Sequence, residues 1–245
     1  VYVWDMDETL ILLKSLLSGA YAAAFNGLKN VESGLKIGKI WEHHILQTCD
    51  TYFFYEQIES FNQPYLDALN EYDDNSDLSD YDFSQDGLDA LNKRKLAYRH
   101  RVIADKYRKG LCNLLNQDLV KLWESLYELS DTYTDKWLSS ARACLEQEHV
   151  NVLVTSGALV PSLVKCLFFR LDHIFVYSSL EVGKLQCFMW IKERFENFRF
   201  CVIGDGWEEC EAAQSMNWPF VQIQIDPHPN RFPGLTSRDL THYFS

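Results

Sequence analysis

The chain has no CxxC pair, no run of about 18 apolar residues, and no Lys or Arg at all between Ile40 and Asn92. Each absence excludes something. The seven cysteines (Cys49, Cys112, Cys144, Cys166, Cys187, Cys201 and Cys210) are odd in number and scattered, which reads as reduced intracellular thiols, not a disulfide frame or zinc site. None is followed six residues later by the Arg of a cysteine-phosphatase loop. The seven histidines include the adjacent pair His43 and His44 but no ligand spacing, so all are read as structural. Without a long apolar run or a basic-then-apolar leader, neither a membrane partner nor a secretory signal is expected. Val1 stands where an initiator Met would, so the sequence reads as a piece of a longer product, with any upstream signal out of view.

Positive charge is missing where negative charge is dense. The Ile40–Asn92 window holds 13 of the 35 acids, leaving 22 acids against 23 bases elsewhere, so the formal charge of -12 belongs to one segment. Nucleic-acid surfaces need clustered Lys and Arg, and none is expected here. Asp73 to Asp89 does not fit a calcium loop, because Gly is absent from its sixth position and Ser84 occupies its twelfth. Residues 66–90 are therefore read as a solvated acidic loop, free to move.

At 245 residues and 47% hydrophobic content the chain can bury one full core and carry a large insertion. Residues 10–147 lack strand patterns. Helices are expected over Leu10–Phe25, Lys36–Phe61 (closed by Pro64), Gln85–Lys109, Asp118–Leu129 and Asp131–Glu148, with Leu122, Trp123, Leu126, Leu129, Trp137 and Leu138 as a core stripe. From His149 the texture changes to short β-rich runs alternating with helical ones. Strands are expected at Val150–Val154, Ile174–Tyr177, Phe198–Ile203 and Phe220–Ile225, with helices at Pro161–Arg170, Lys184–Phe195 and Trp207–Met216. Val1–Trp4 completes the set. The expected fold is α/β, a three-layer Rossmann-like parallel sheet built from residues 1–9 and 148–245, with residues 10–147 as an all-helical bundle insertion.

Ligands of such sheets bind beyond the carboxyl ends of the strands, and the chemical residues fall at those ends. Asp5 and Asp7 follow the first strand, Thr155-Ser156-Gly157 the second, and Asp205 with Glu209 a later one, while Lys184 opens a helix. Two like charges 4 Å apart repel by about 4 kcal/mol at an effective dielectric of 20, so a converging Asp5, Asp7, Asp205 and Glu209 call for a cation. All-oxygen donors beside a phosphate point to magnesium. Asp5 then reads as nucleophile and metal ligand, and Asp7 as acid and base plus a backbone-carbonyl ligand. Thr155, Ser156 and the Gly157 amide at a helix start read as the phosphate cradle, joined by Lys184 as a point charge. Asp205 reads as a metal ligand, with Glu209 one layer out, orienting metal-bound water. Thr9 is read as local bracing.

These residues resemble the haloacid dehalogenase superfamily of aspartate-based phosphatases. More closely, Val3-Trp4-Asp5-Met6-Asp7-Glu8-Thr9, Asn151-Val152-Leu153-Val154-Thr155, Gly183-Lys184 and Ile203-Gly204-Asp205-Gly206 resemble the Eyes absent domain. So do Ser15-Leu16-Leu17-Ser18-Gly19, Cys187-Phe188, Glu208-Glu209, Tyr81-Asp82-Phe83-Ser84 and Arg94-Lys95-Leu96-Ala97, so the likeness covers nearly the whole chain. The resemblance implies a magnesium-dependent protein-tyrosine phosphatase acting on phosphotyrosine proteins or aryl phosphates through an aspartyl-phosphate. It also implies residence in the nucleus or cytoplasm and a nuclear transcription-factor partner of the homeodomain kind. Ser156-Gly157 stands where animal members usually carry two threonines, Lys14 where they carry His, and Trp207 where they carry a smaller residue. The Pro227–Pro233 tail also differs, which together suggests a plant-type member. Two other readings remain open: a coactivator whose insertion is the working surface, and a small-molecule phosphatase.

Overall fold

A computed structural model describes residues 1–80, 93–146 and 149–225. Its centre is a five-stranded, wholly parallel sheet in the order β3-β2-β1-β4-β5, with β1 at Tyr2–Trp4, β2 at Asn151–Thr155, β3 at Phe175–Ser178, β4 at Cys201–Gly204 and β5 at Phe220–Gln222. Chain order reverses between β1 and β4, which opens a crevice beyond their carboxyl ends. β1, from the start of the sequence, lies between two strands from its second half: Val3 pairs with Val152 on one side and Val202 on the other.

Alternation along β1 sorts the layers. Tyr2 and Trp4 face a large core with Leu153, Cys201 and Ile203, whereas Val3 faces a second core with Val152, Val154 and Val202. The second face is covered by α10 (Lys184–Arg194) through Cys187, Phe188 and Ile191, and by α11 (Trp207–Met216) through Ala212 and Ala213. The first is covered by α9 (Leu159–Phe168), and behind it lie helices from between β1 and β2. This is the α/β, haloacid dehalogenase-like architecture with a large helical insertion. One continuous apolar core joins Trp4 of the sheet to Trp41, Phe53, Trp123 and Trp137 of those helices. Among the described residues no helix is long and apolar enough to cross a membrane.

The intervening helices are α1 (Leu13–Ser18), α2 (Ala20–Ala24), α3 (Val31–Phe53), α4 (Tyr55–Ile58), α5 (Lys93–Lys109), α6 (Leu111–Leu114), α7 (Gln117–Tyr133) and α8 (Trp137–Leu145). The single helix expected over Leu10–Phe25 is divided, because Gly19 takes a left-handed conformation at φ 76° between α1 and α2. α3 starts earlier than Lys36, where Asn30 accepts a hydrogen bond from the Ser33 amide as N-cap at 2.8 Å. It stops at Phe54, also left-handed, well before Phe61. Gly38 lets α1 press on α3, since a Cβ there would meet the Leu17 amide nitrogen at 3.0 Å. α7 runs through the expected break after Leu129 and ends at Thr134, before Asp135 and Lys136 turn left-handed. Of the expected core stripe, Trp123, Leu126, Trp137 and Leu138 are buried, but Leu122 and Leu129 project into solvent, with Tyr127 and Ser130 taking the inner face instead. Those two leucines lie one heptad apart on the edge of the apolar arc.

The acidic segment, described as far as residue 80, is paired with α5. Asp73 lies 2.9 Å from Arg101 and Asp74 2.7 Å from Arg94, because α5 carries the bases that the segment lacks. Gln85, the rest of that loop, the Tyr81–Ser84 run and the Pro227–Pro233 tail lie outside the described residues.

Candidate active site

β1 ends at Trp4, and the Asp5 amide still donates to the Ile203 carbonyl of β4 at 2.8 Å, so Asp5 sits at the mouth of the crevice. The chain then turns sharply. Glu8 is left-handed at φ 62°, its amide bonds the Ile11 carbonyl at 2.7 Å, and its carboxylate accepts from the Ser15 amide at 3.0 Å, tethering the start of α1. On the opposite sheet face, Gly183 leads into α10 with a positive φ of 78°, and Lys184, the first helical residue, aims inward. Its ammonium, almost wholly buried, donates to Asp5 Oδ1 at 2.5 Å and to Glu209 Oε2 at 2.7 Å.

Asp205 follows β4 directly and receives the Thr9 hydroxyl at 3.4 Å. Glu209 lies in the first turn of α11 and reaches back to the Gly206 amide, fixing the loop that carries Asp205. Gly204 makes room for it, as a Cβ there would fall 2.5 Å from Glu209 Cγ. Asp5, Asp205 and Glu209 thus form one group, one carboxylate oxygen from each lying within 4.8 Å of the others. Glu209, expected one layer out, stands in that group beside Asp5 and Asp205.

Asp7 is placed differently. Its carboxylate is not part of the group; both oxygens accept from Lys165 Nζ on α9, at 2.8 and 3.0 Å. Ser156 is exposed and its hydroxyl donates to Glu208 Oε2 at 3.2 Å. The Gly157 amide does not open a helix: it donates to Thr155 Oγ1 at 3.1 Å, and α9 begins at Leu159, two residues on. The sequence names Glu8 and Glu208 within its motifs without giving either a role, and it passes over Lys165 altogether. The available signal for Lys165 was a lone charge in the otherwise apolar run Leu159–Phe168.

These side chains line a cleft of about 670 Å³, to which α1 contributes Leu13, Lys14, Leu17 and Ser18 and α11 contributes Trp207. Trp207 is 71% exposed, an unusual position for an indole, and Lys14 and Trp207 both border the carboxylates.

Burial pushes the Asp5 carboxyl up to about 7, against the pull of Lys184 and with help from Glu209. Asp205 is raised too, by burial and then by Glu209. Burial disfavours the Lys184 ammonium, yet Asp5 and Glu209 outweigh it and hold its pKa above the ordinary lysine value. Burial likewise opposes the Glu209 carboxylate, but Lys184 and the Gly206 amide bring its pKa below the ordinary value. One ammonium therefore serves two carboxylates, and a third carboxylate, Asp205, lacks a cationic partner among the described residues. Buried carboxylate oxygens short of positive charge suit a hard divalent cation.

No protein-family model matches the chain. It is 56% identical over its full length to the protein phosphatase EYA of Arabidopsis thaliana, covering 89% of that protein. Over 91% of its length it is 36% identical to the protein phosphatase eya of Drosophila melanogaster and 32% identical to the human protein phosphatase EYA2. It spans only 33% and 47% of those two animal relatives. The likeness includes both the strand-end residues and the helices between β1 and β2: the chain belongs to the Eyes absent family of protein phosphatases, in its plant form.

Proposed function

We propose that this chain is a magnesium-dependent phosphatase that hydrolyses phosphotyrosine on proteins, and aryl phosphates generally, through an aspartyl-phosphate on Asp5. The observation that carries this reading is Lys184 held between Asp5 and Glu209, with Asp205 alongside, at the carboxyl ends of the two central strands. Asp5, Asp205 and Glu209, with the Asp7 carbonyl, would hold the cation. Bound there, magnesium supplies the positive charge that lets a phosphate dianion approach these carboxylates.

The steps fall to the chain's own groups. An Asp5 carboxylate oxygen forms a bond to phosphorus as the ester P–O bond breaks, and Asp7 gives its proton to the departing phenolate oxygen. Lys184 neutralises Asp5 and the transferring group, and the Thr155 and Ser156 hydroxyls with the Gly157 region hold phosphoryl oxygens. Asp7, now ionised, takes a proton from water as that water attacks the aspartyl-phosphate, releasing inorganic phosphate and restoring Asp5. An aryl leaving group is favoured by the apolar rim, where Trp207, Leu13 and Leu17 offer faces for a ring. A phosphoprotein substrate is favoured by the names of the relatives. Residues 1–9 and 148–245 serve in this reading as the catalytic unit, with residues 10–147 beside it and, among the described residues, only α1 of that stretch reaching the cleft lining.

A second reading, docking of a nuclear transcription-factor partner on the helices, has one observation in its favour. Leu122 borders an apolar groove lined by Trp41, Thr48, Leu115, Leu119 and Leu126 and is itself exposed. Phosphate release from phosphotyrosine, phosphoserine and sugar-phosphate substrates, with magnesium and with EDTA, tests the main reading. Magnesium-dependent release from phosphotyrosine, lost in Asp5→Asn, is expected. Preference for sugar phosphates, or full activity in Asp5→Asn, would overturn it.

A further inference from the structure

Lys165 is a cation with a single task. The residues around it on α9, Leu163, Val164, Cys166 and Leu167, are all buried apolar or thiol side chains, and Lys165 alone of that turn reaches the cleft. Its ammonium meets both Asp7 oxygens, at 2.8 and 3.0 Å, with its side chain only 16% exposed. Among the described residues Asp7 is its only carboxylate partner. Two lysines therefore divide the acids of the cleft: Lys184 takes Asp5 and Glu209, and Lys165 takes Asp7.

The division has a steric meaning. Asp7 follows Asp5 by two residues, close enough for its carboxylate to turn toward the same cation site, yet it lies outside the Asp5, Asp205 and Glu209 group. The backbone at Asp7 is held by its bridge to Ile11, so what remains free to choose a side is the Asp7 side chain. A two-point ion pair fixes a short carboxylate more firmly than a single hydrogen bond does. We propose that Lys165 is a positioning residue that holds the Asp7 carboxylate on the leaving-group side of the cleft and out of the three-carboxylate group. Asp7 then meets the cation site through its backbone alone. The inference rests on the reading of Asp7 as acid and base.

Without the clamp, proton delivery to the leaving oxygen suffers while phosphate binding does not. The loss then grows with the basicity of the leaving group, because good leaving groups depart without a proton. The experiment compares wild type, Lys165→Met, Lys165→Arg and Asp7→Asn on aryl phosphates whose phenols span a range of acidity. Lys165→Met is expected to lose less than about threefold in kcat/KM on p-nitrophenyl phosphate and about a hundredfold on phenyl phosphate, kcat/KM being the quantity that reports transfer to Asp5 apart from the hydrolysis step all the substrates share. Lys165→Arg is expected to regain most of the loss. A crystal structure of Lys165→Met without substrate is expected to show the Asp7 carboxylate displaced from its wild-type position. An equal loss along the whole series, no loss, or an unmoved Asp7 would overturn the proposal. If Asp7→Asn itself shows no leaving-group dependence, the acid-base reading fails; if it does and Lys165→Met does not, only the role of Lys165 falls.

Discussion

The Lys184 ammonium and the Asp5 carboxylate form a buried ion pair at 2.5 Å that joins the first residues of the chain to the start of α10, 179 residues later. The same ammonium holds Glu209. Removing it leaves two buried carboxylates facing each other with no cationic partner among the described residues. Lys184→Met is expected to cost about 3–5 kcal/mol in metal-free protein, read from urea unfolding at neutral pH. Magnesium binding the folded state alone is expected to return part of that loss, by about 2.7 kcal/mol at a hundred times its Kd. An unfolding midpoint unchanged by the substitution would contradict the pairing.

Gly204 is the backbone's contribution to the carboxylate group. In Gly204→Ala the new Cβ would lie 2.5 Å from Glu209 Cγ and 2.6 Å from its Oε1. Glu209 is held at both ends, by Lys184 and by the Gly206 amide, so it cannot give way without losing one of them. Magnesium affinity, measured by calorimetry, is expected to fall at least tenfold while the fold persists. Unchanged affinity would show that Glu209 is dispensable.

Trp207 is expected to matter for substrate and hardly for stability. At 71% exposure, its replacement by Ala is expected to shift unfolding by less than about 0.5 kcal/mol. An aromatic contact is worth about 0.5–1.5 kcal/mol, so kcat/KM for aryl phosphates is expected to fall by up to about tenfold, and for alkyl phosphates by less than twofold. An equal fall for both classes would remove the ring-platform argument.

His100 gives the protein an acid-sensitive point remote from the cleft. It is 3% exposed, its Nδ1 has no hydrogen-bond partner among the described residues, and burial brings its pKa down from 6.5 to about 4. The unfolded chain therefore binds a proton at His100 that the folded chain refuses. Stability from this residue is complete above pH 6.5 and lost as pH falls to about 4, by on the order of 3 kcal/mol. His100→Phe is expected to flatten the unfolding curve over that window, measured by urea titration at several pH values. An unchanged slope would contradict it.

The strand ends were legible because parallel strands buried on both faces read as short apolar runs, and Asp5, Thr155 and Asp205 each follow one directly. The start of α3 was also written in the sequence, in Asn30 with Glu32 and Ser33, but the apolar pattern drew the boundary to Lys36. The turn between α7 and α8 was not, because Asp135 and Lys136 adopt left-handed conformations without Gly or Pro to announce them. Nor was the side chosen by Asp7. Its partner Lys165 lies 158 residues away, and period and propensity carry no information about a contact of that range.

The central claim is that Asp5 carries the phosphoryl group, and it is tested most directly by trapping. Enzyme turning over an aryl phosphate with magnesium is quenched, reduced with borohydride and digested, and the peptide containing Asp5 is examined by mass spectrometry. The acyl phosphate at Asp5, and no other carboxylate, is expected to be converted to the alcohol, only when substrate is present. Robust turnover with Asp5 unmodified, or conversion at another carboxylate, would contradict the account.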